Sequence, residues 1–561
     1  MSNLFTTVES GALRARTRFK NRDFRKGLDL EFGRAYPMYA DFVLPSDINK
    51  ISYDMLIRLM PMKAPLLNNI NARIRFGFVP LRLVESNSDF VITGSKDGKY
   101  DNDSVVPEFS NVWKWLYDCS QLDSVVANHW NDNTSFTVSK SDFFHILFGI
   151  DIGTYTYRNV KNDESAPAAY WVKGYLRFWW DYYRDENLSS SLSFNLSADF
   201  DQFVSSVGTY FAWKLKDGNA GPCRPMQVYR KKDYFTSSLP WQLKGVAPRI
   251  DIDFNSGSAW WATTDASIPK TTIAANNLTA TYPPFVVGDD TYFSKSFTNA
   301  LNNALSAGNT GISAEQIRDV MAETRILERL ARTGSRYTEY LRANFGTSPA
   351  DGTLQRSVYL GGGKIPIITS EVLQTAGDSA NNPVGTMRGH GIARSGNRIS
   401  TCSFKEFGML FGILDVMPQT VYMQGVSRRF SYKSRWQFFN PTFQHLSEQV
   451  IRSGEVYYSN DGNNDREWGF TEIYNELRVG ETKFLGDFQD SLSYWTQAIA
   501  WPSRPQSINN SFILTYDSNN MRPFNVTDPS LAKPILADLY IHNDSYRPMV
   551  RYGTPGFNDH F

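Results

Sequence analysis

Ile74-Arg75-Phe76-Gly77-Phe78-Val79-Pro80 decides the class of fold. The stretch is short, aromatic and β-branched, and it ends on a proline that has no N–H to give to a ladder, so it reads as a strand. Tyr39-Ala40-Asp41-Phe42-Val43-Leu44-Pro45 has the same grammar, and both lie in a dense apolar region from Phe32 to Leu83. Farther along, Tyr359-Leu360-Gly361-Gly362-Gly363-Lys364-Ile365-Pro366-Ile367 reads as a glycine turn entering a strand. Residues 401–440 bring two more β-rich pieces, Phe407–Leu414 and Val421-Tyr422-Met423. The whole chain of 561 residues agrees: 38 Phe, 29 Tyr and 14 Trp make 14% of it, beside 38 Gly and 26 Pro. That is the composition of many strands and turns around a thick β core, or of a subunit with extensive protein contacts.

Between these strands the pattern changes. Residues 1–30 are polar and basic and read as an arm, with Arg14, Arg16, Arg18, Lys20, Arg22, Arg25 and Lys26 and no apolar signal-peptide core. Residues 87–103 read as loop. Residues 111–117 fit a short helix or a strand, and 170–183 fit a helix, because Tyr175, Phe178, Trp179 and Tyr182 recur at spacings of three and four. Residues 251–312 hold small polar residues and few charges, an excursion from the core that Trp260, Trp261 and Tyr282 help to pack. A helical segment follows over 313–345. Ser313 and Gln316 have capping-box spacing, Ile317, Val320, Met321, Leu327, Leu330 and Ala331 share one stripe, and Gly334 is a stop or bend. The Pro- and Asn-rich tail from Ser503 reads as a surface wrap, and no internal repeat occurs.

Composition removes several function classes. With 41% apolar and 20% charged residues the chain is globular, and 58 Lys plus Arg against 57 Asp plus Glu leave a net charge of +1, so it is not a bulk polycation. Three scattered cysteines, Cys119, Cys223 and Cys402, fit a reducing compartment, and no apolar run approaches a membrane span. The six histidines have no zinc-ligand spacing. Gly361-Gly362-Gly363-Lys364 fails as a phosphate loop, since Val358 and Ile365 stand where a glycine and a hydroxyl residue are needed. No cofactor is implied, although a calcium cage of carboxylates and carbonyls leaves no local motif. The carboxylate pairs Asp251/Asp253, Asp289/Asp290 and Asp185/Glu186 lie near aromatics and keep a carbohydrate-active protein as the competing class; the ordinary alternative is turn and surface carboxylates.

Three basic clusters carry more. One is the arm, and a second is Tyr229-Arg230-Lys231-Lys232-Asp233-Tyr234. The third is Val426-Ser427-Arg428-Arg429-Phe430-Ser431-Tyr432-Lys433-Ser434-Arg435-Trp436, which interleaves cations with rings. That mixture suits single-stranded nucleic acid, since cations neutralise phosphates while rings stack on bases. The alternative is that these arginines bridge carboxylates of neighbouring strands or subunits. In the 313–345 segment Arg325, Arg329, Arg332 and Arg336 alternate with acids, as on a salt-bridged face or a subunit contact.

Ordered stretches along most of the chain resemble the major capsid protein of the Microviridae, small icosahedral single-stranded-DNA phages, and within them the gokushovirus branch. They are Arg184-Asp185-Glu186-Asn187-Leu188, Arg230 to Gln242 (RKKDYFTSSLPWQ), Leu327 to Tyr337 (LERLARTGSRY), Leu341 to Gly346 (LRANFG), Tyr359 to Gly363 (YLGGG), Gln424 to Arg428 (QGVSR), His445 to Gln449 (HLSEQ) and Arg551 to Phe557 (RYGTPGF). The resemblance implies a mainly β fold: a single eight-stranded antiparallel jelly roll over residues 31–561, with long interstrand loops that contain some helices. It further implies pentamers, a sixty-subunit T=1 shell around a circular single-stranded DNA genome, a small basic internal DNA-binding protein, scaffolding and pilot proteins, and assembly in the bacterial cytoplasm. Residues 251–312 become the expected surface protrusion at the threefold axes, facing a host receptor that could be a glycan. On this reading Arg14, Arg16, Arg18, Lys20, Arg22, Arg428, Arg429, Lys433, Arg435 and Trp436 are expected to meet DNA or the internal protein. Arg325, Arg329, Arg332, Arg336, Tyr337, Tyr552 and Phe557 are expected at subunit interfaces.

Overall fold

The computed structural model describes residues 17–20, 22–93, 108–127, 130–188, 199–216, 222–243, 245, 314–333, 342, 350–351, 354–373, 387–399, 401–444, 448–515, 518–525, 533–549 and 551. Eight long strands organise it: β1 (Phe24–Leu30), β2 (Tyr36–Val43), β3 (Ile48–Leu59), β4 (Ile70–Pro80), β5 (Val358–Leu373), β6 (Met387–Arg398), β7 (Gly408–Pro418) and β8 (Ile535–Arg547). All pair antiparallel, in two sets: β1-β8-β3-β6 and β2-β7-β4-β5. β5 joins them, because Val358–Ile367 pairs with β4 while Ile368–Leu373 pairs with β6. Strands that alternate between two sheets and leave the last strand paired with the first make a jelly roll. Two connections are long, residues 81–357 between β4 and β5 and residues 419–534 between β7 and β8.

The two sheets differ in what covers them, and the burial patterns record it. β3 and β8 alternate, with Ile51, Tyr53, Met55, Ile57, Leu539 and Ile541 turned into the barrel and every second residue turned out. β7 is buried along nearly its whole length. Leu410, Leu414 and Val416 fill the barrel, while Met409, Phe411 and Ile413 belong to a second core on the other face. A continuous apolar run such as Gly408-Met409-Leu410-Phe411-Gly412-Ile413-Leu414 is what a strand with both faces covered requires. At the edge, β2 slips by one residue opposite Gly412 and Ile413, and that bulge accommodates Pro37.

The cover comes from the long β4–β5 connection: α1 (Val112–Ser120), α2 (Phe143–Phe148), α3 (Tyr170–Tyr182) and α4 (Phe200–Lys216). Residues 111–117 thus resolve as helix, started by Asn111, whose side chain accepts the Lys114 N–H at 2.8 Å. The ring spacing in 170–183 is realised in α3, where Tyr175, Phe178 and Trp179 are fully buried. Contact with the sheet is so close that a Cβ at Gly77 would lie 1.9 Å from Cε2 of Phe178, so only glycine fits there.

Several expectations change. The tail from Ser503, expected to wrap a surface, holds β8 in the middle of its sheet; Gly361–Gly363, expected as a turn, pair with Ile74–Phe76 inside β5; and Val421–Met423, expected as a β piece, makes only isolated bridges at Tyr422. Within the loop expected at 87–103, Ser88–Thr93 is a short helix; 94–103 lie outside the described residues. The described part of the basic arm is strand: Thr17–Phe19 and β1 both pair with β8. Its cations are held accordingly. Arg18 pairs with Asp544, Arg22 with Asp41, Arg25 with Asp538 at 2.7 Å, and Lys26 donates to the carbonyl of Pro37 at 3.0 Å and to that of Ile146. Alternating basic residues read as a solvated arm because nothing local reveals Asp538 and Asp544, each more than 500 positions from its arginine.

A separate unit spans Leu243–Thr333. Within it α5 (Ala314–Thr333) carries the expected helix, with Ile317, Met321 and Ile326 exposed. The excursion 251–312 and Ser313 lie outside the described residues.

Candidate functional site

The third basic cluster opens the long β7–β8 connection as a loop over residues 426–443. It contains two single-turn helices, Arg428–Phe430 and Pro441–Phe443, the second capped by Asn440 accepting the Thr442 N–H at 3.0 Å. Beneath lies a knot of buried polar groups. Glu455 and Glu476 are almost wholly buried, and Arg428 lies 3.4 Å from the first and 3.7 Å from the second. Tyr234 donates to Glu455 at 2.9 Å, and Tyr432 and Gln449 each donate to Glu476 at 2.6 Å. Burial raises the Glu455 pKa above the ordinary carboxylate value, opposed by the Arg452 N–H and the Arg428 charge. Arg428 also donates to the Val450 carbonyl. Arg428, expected at DNA or the internal protein, is thus engaged within the chain and holds the loop in place.

On top of this knot the loop presents what a folded core normally hides. Phe430 is 80% exposed, Trp436 61%, Phe438 55% and Phe439 54%. Arg429, Lys433 and Arg435 are exposed between them, and the Arg435 guanidinium sits 4.4 Å above the Trp436 ring. Four large exposed rings and three exposed cations thus stand within eleven residues, more apolar ring surface than a folded domain usually leaves to solvent. Phe438 and Phe439 were not singled out in the sequence, although a ring doublet just before the Asn440-Pro441 turn was the available signal.

The remaining expected residues divide. Arg22 pairs with Asp41 half-buried, whereas Arg18 pairs with Asp544 at the surface with its side chain 45% exposed; Lys20 is exposed beside them. In the second cluster Arg230 donates to the Leu514 carbonyl at 2.8 Å and Lys232 pairs with Asp185, so two of its three cations are engaged within the chain. Arg325 is exposed on α5. Arg14, Arg16, Arg336, Tyr337, Tyr552 and Phe557, and the side chains of Arg329 and Arg332, lie outside the described residues. Of the carboxylate pairs, Asp185 accepts the Asn187 and Leu188 N–H groups and Glu186 pairs with Arg184, a turn rather than a catalytic pair; the other two pairs lie outside the described residues. Among the described residues no cluster of His, Cys, Asp and Glu could hold a metal, all three cysteines are buried and free, and no helix is long and apolar enough to cross a membrane.

Comparison with known proteins places this jelly roll with its exposed ring-and-cation loop. The family model of the phage capsid protein (F protein) matches residues 155–557, well over half of the chain. This chain belongs to the phage capsid-protein (F protein) family.

Two of three relatives cover it nearly end to end. Capsid protein VP1 of Chlamydia phage 1 is 26% identical over 99% of this chain and 98% of its own length. Capsid protein VP1 of Bdellovibrio phage phiMH2K is 26% identical over 95% and 94%. Capsid protein VP1 of Spiroplasma virus 4 is 24% identical over 67% and 71%. All three are Microviridae, as the ordered stretches implied. A capsid protein of this family is a component of the virion and not an enzyme, which answers the carbohydrate-enzyme alternative.

Proposed function

We propose that this capsid protein assembles through pentamers into a closed sixty-subunit T=1 shell around a circular single-stranded DNA genome, and that the 429–439 surface is where the shell meets that DNA. The observation that carries the genome contact is the exposed set Arg429, Phe430, Lys433, Arg435, Trp436, Phe438 and Phe439. Cations on the phosphates and rings on the bases suit a single strand, whose bases are unpaired and free to stack. A net charge of +1 supports a division of labour in which a small basic internal protein neutralises most of the genome and the shell adds local contacts. Scaffolding and pilot proteins belong to the same reading, as does a receptor-facing protrusion from residues 251–312. Arg325 on α5 is assigned to a subunit contact with its helical neighbours.

The test is electron cryo-microscopy of the expressed particles, with nuclease-protected DNA quantified in the same fractions. Icosahedral particles that protect single-stranded DNA are the expected result. The triple change Arg429→Ala, Lys433→Ala, Arg435→Ala should leave shell formation intact. It should also lower the salt dependence of single-strand binding by about 2 in log K per log salt, at about 0.7 for each phosphate no longer neutralised. An unchanged salt slope would remove this surface from the genome contact.

A further inference from the structure

Under the loop is a cavity of about 320 Å³, at the small end of the ~300–1,000 Å³ usual for organic ligands. Trp436, Phe443 and Tyr474 supply rings to its lining, and Arg428, Gln449 and Glu476 supply polar groups. The Trp436 and Phe443 rings stand 5.7 Å apart at 46°, open like the two sides of a wedge. We propose that this cavity is a nucleobase subsite that takes one unpaired base of a DNA strand lying across the 429–439 surface, an inference that rests on the genome-contact reading above.

The lining selects among occupants. A phosphate is disfavoured, because Glu476, whose side chain is only 1% exposed, brings a carboxylate to the wall and Arg428 already faces it at 3.7 Å. An aliphatic side chain would leave the amides of Gln437 and Gln449 and the carboxylate facing hydrocarbon, an unfavourable exchange. A flat heteroaromatic satisfies both requirements. One face meets the Trp436 ring while an edge meets Phe443, since those two rings stand 5.7 Å apart and already touch each other, and its ring or exocyclic N–H groups meet lone pairs left on Glu476 after Tyr432 and Gln449 have each given it one hydrogen bond. Its carbonyl can take the amide N–H of Gln437, whose own Oε1 is engaged by the backbone N–H groups of Lys433 and Ser434. The exposed Arg429, Lys433 and Arg435 lie in the same loop, where the phosphates flanking that base would run.

The experiment compares two probes of equal phosphate count on the full-length chain: a short single-stranded oligodeoxynucleotide, and the same backbone without bases. Ile473, which also lines the cavity, is changed to Trp to fill it. The expected result is a loss of about tenfold in affinity for the base-bearing strand, the size of one base–ring stack, with the abasic strand unchanged. An unchanged affinity for the base-bearing strand overturns the subsite. So does a variant that blocks particle formation without altering DNA affinity, which would give the cavity to a neighbouring subunit's side chain. The genome-contact reading is judged separately: it survives a failed subsite if the Arg429/Lys433/Arg435 triple variant still weakens both probes, and falls with it if that variant weakens neither. Photo-crosslinking of an iododeoxyuridine-substituted strand to the unmodified chain needs no folded variant. Adducts on Trp436, Phe443 or Tyr474 support the subsite, and adducts confined to Phe430, Phe438 and Phe439 overturn it.

Discussion

Below the 426–443 loop one guanidinium faces two buried carboxylates, and the loop's place depends on it. Removing Arg428 would leave Glu455 and Glu476 without a compensating charge, so Arg428→Ala should destabilise the protein by about 3–5 kcal/mol, read from chemical denaturation. Changing the neighbouring, exposed Lys433 to Ala should alter stability by less than about 0.5 kcal/mol. A second residue-scale device is Lys26. Burial lowers its ammonium pKa from 10.5 to about 8. The unfolded chain therefore binds more protons than the native one between pH 8 and about 10.5, and stability rises with pH through that window. In Lys26→Met the rise attributable to this group, up to about 3 kcal/mol, should be absent. Denaturation midpoints of the two proteins, compared across that range, check it. A flat difference between them would mean that the ammonium reaches water.

At the scale of elements, the junction of α3 with β4 and β7 ties the helical layer to the barrel. Phe178 lies fully buried over Gly77, so Phe178→Ala should cost about 3–5 kcal/mol by cavity formation. Gly77→Ala should also destabilise strongly, because the added methyl falls inside the ring. Thermal unfolding of the two single variants measures both effects. Much of this junction was legible beforehand. The rings of 170–183 recur with the helical period, and 407–414 is an unbroken apolar run, so each segment advertises burial. That they bury against each other was not legible, since periodicity names a face and not its partner. The strands at 17–19 and 24–30 were missed for the opposite reason: in Phe24-Arg25-Lys26-Gly27-Leu28-Asp29-Leu30 three of seven residues are charged, and its pairing residues lie far along the chain, in β8.

At the scale of the whole molecule, β8 is the last described strand and sits between β1 and β3, with Leu539 opposite both Lys26 and Met55. The sheet therefore closes only when the two ends of the chain meet. A chain ending before Ile535 should fail to form the barrel, leaving Ile51, Tyr53, Met55 and Ile57 without cover. Circular dichroism and limited proteolysis of that truncation should show loss of the fold rather than a trimmed tail. Pairings of such sequence separation also predict slow refolding, in the millisecond-to-second range or longer, which stopped-flow refolding can measure.

The sequence by itself determined the class of fold, the strand pieces at 39–45, 74–80 and 407–414, the helix at 170–183 and, through its ordered resemblance, the family. Those signals are local: strand and helix periods, proline stops and contiguous motifs are written in neighbouring residues. Only the tertiary structure decided which cations are already paired within the chain. Arg18, Arg22 and Arg428 are indistinguishable in sequence from Arg429 and Arg435. The first three are engaged by Asp544, Asp41 and the Glu455–Glu476 pair, Arg18 while its side chain stays 45% exposed, and the last two stand exposed in the 426–443 loop. A charge is neutralised by whatever folding brings within a few ångströms, and here those partners lie between 19 and 526 positions away in the chain.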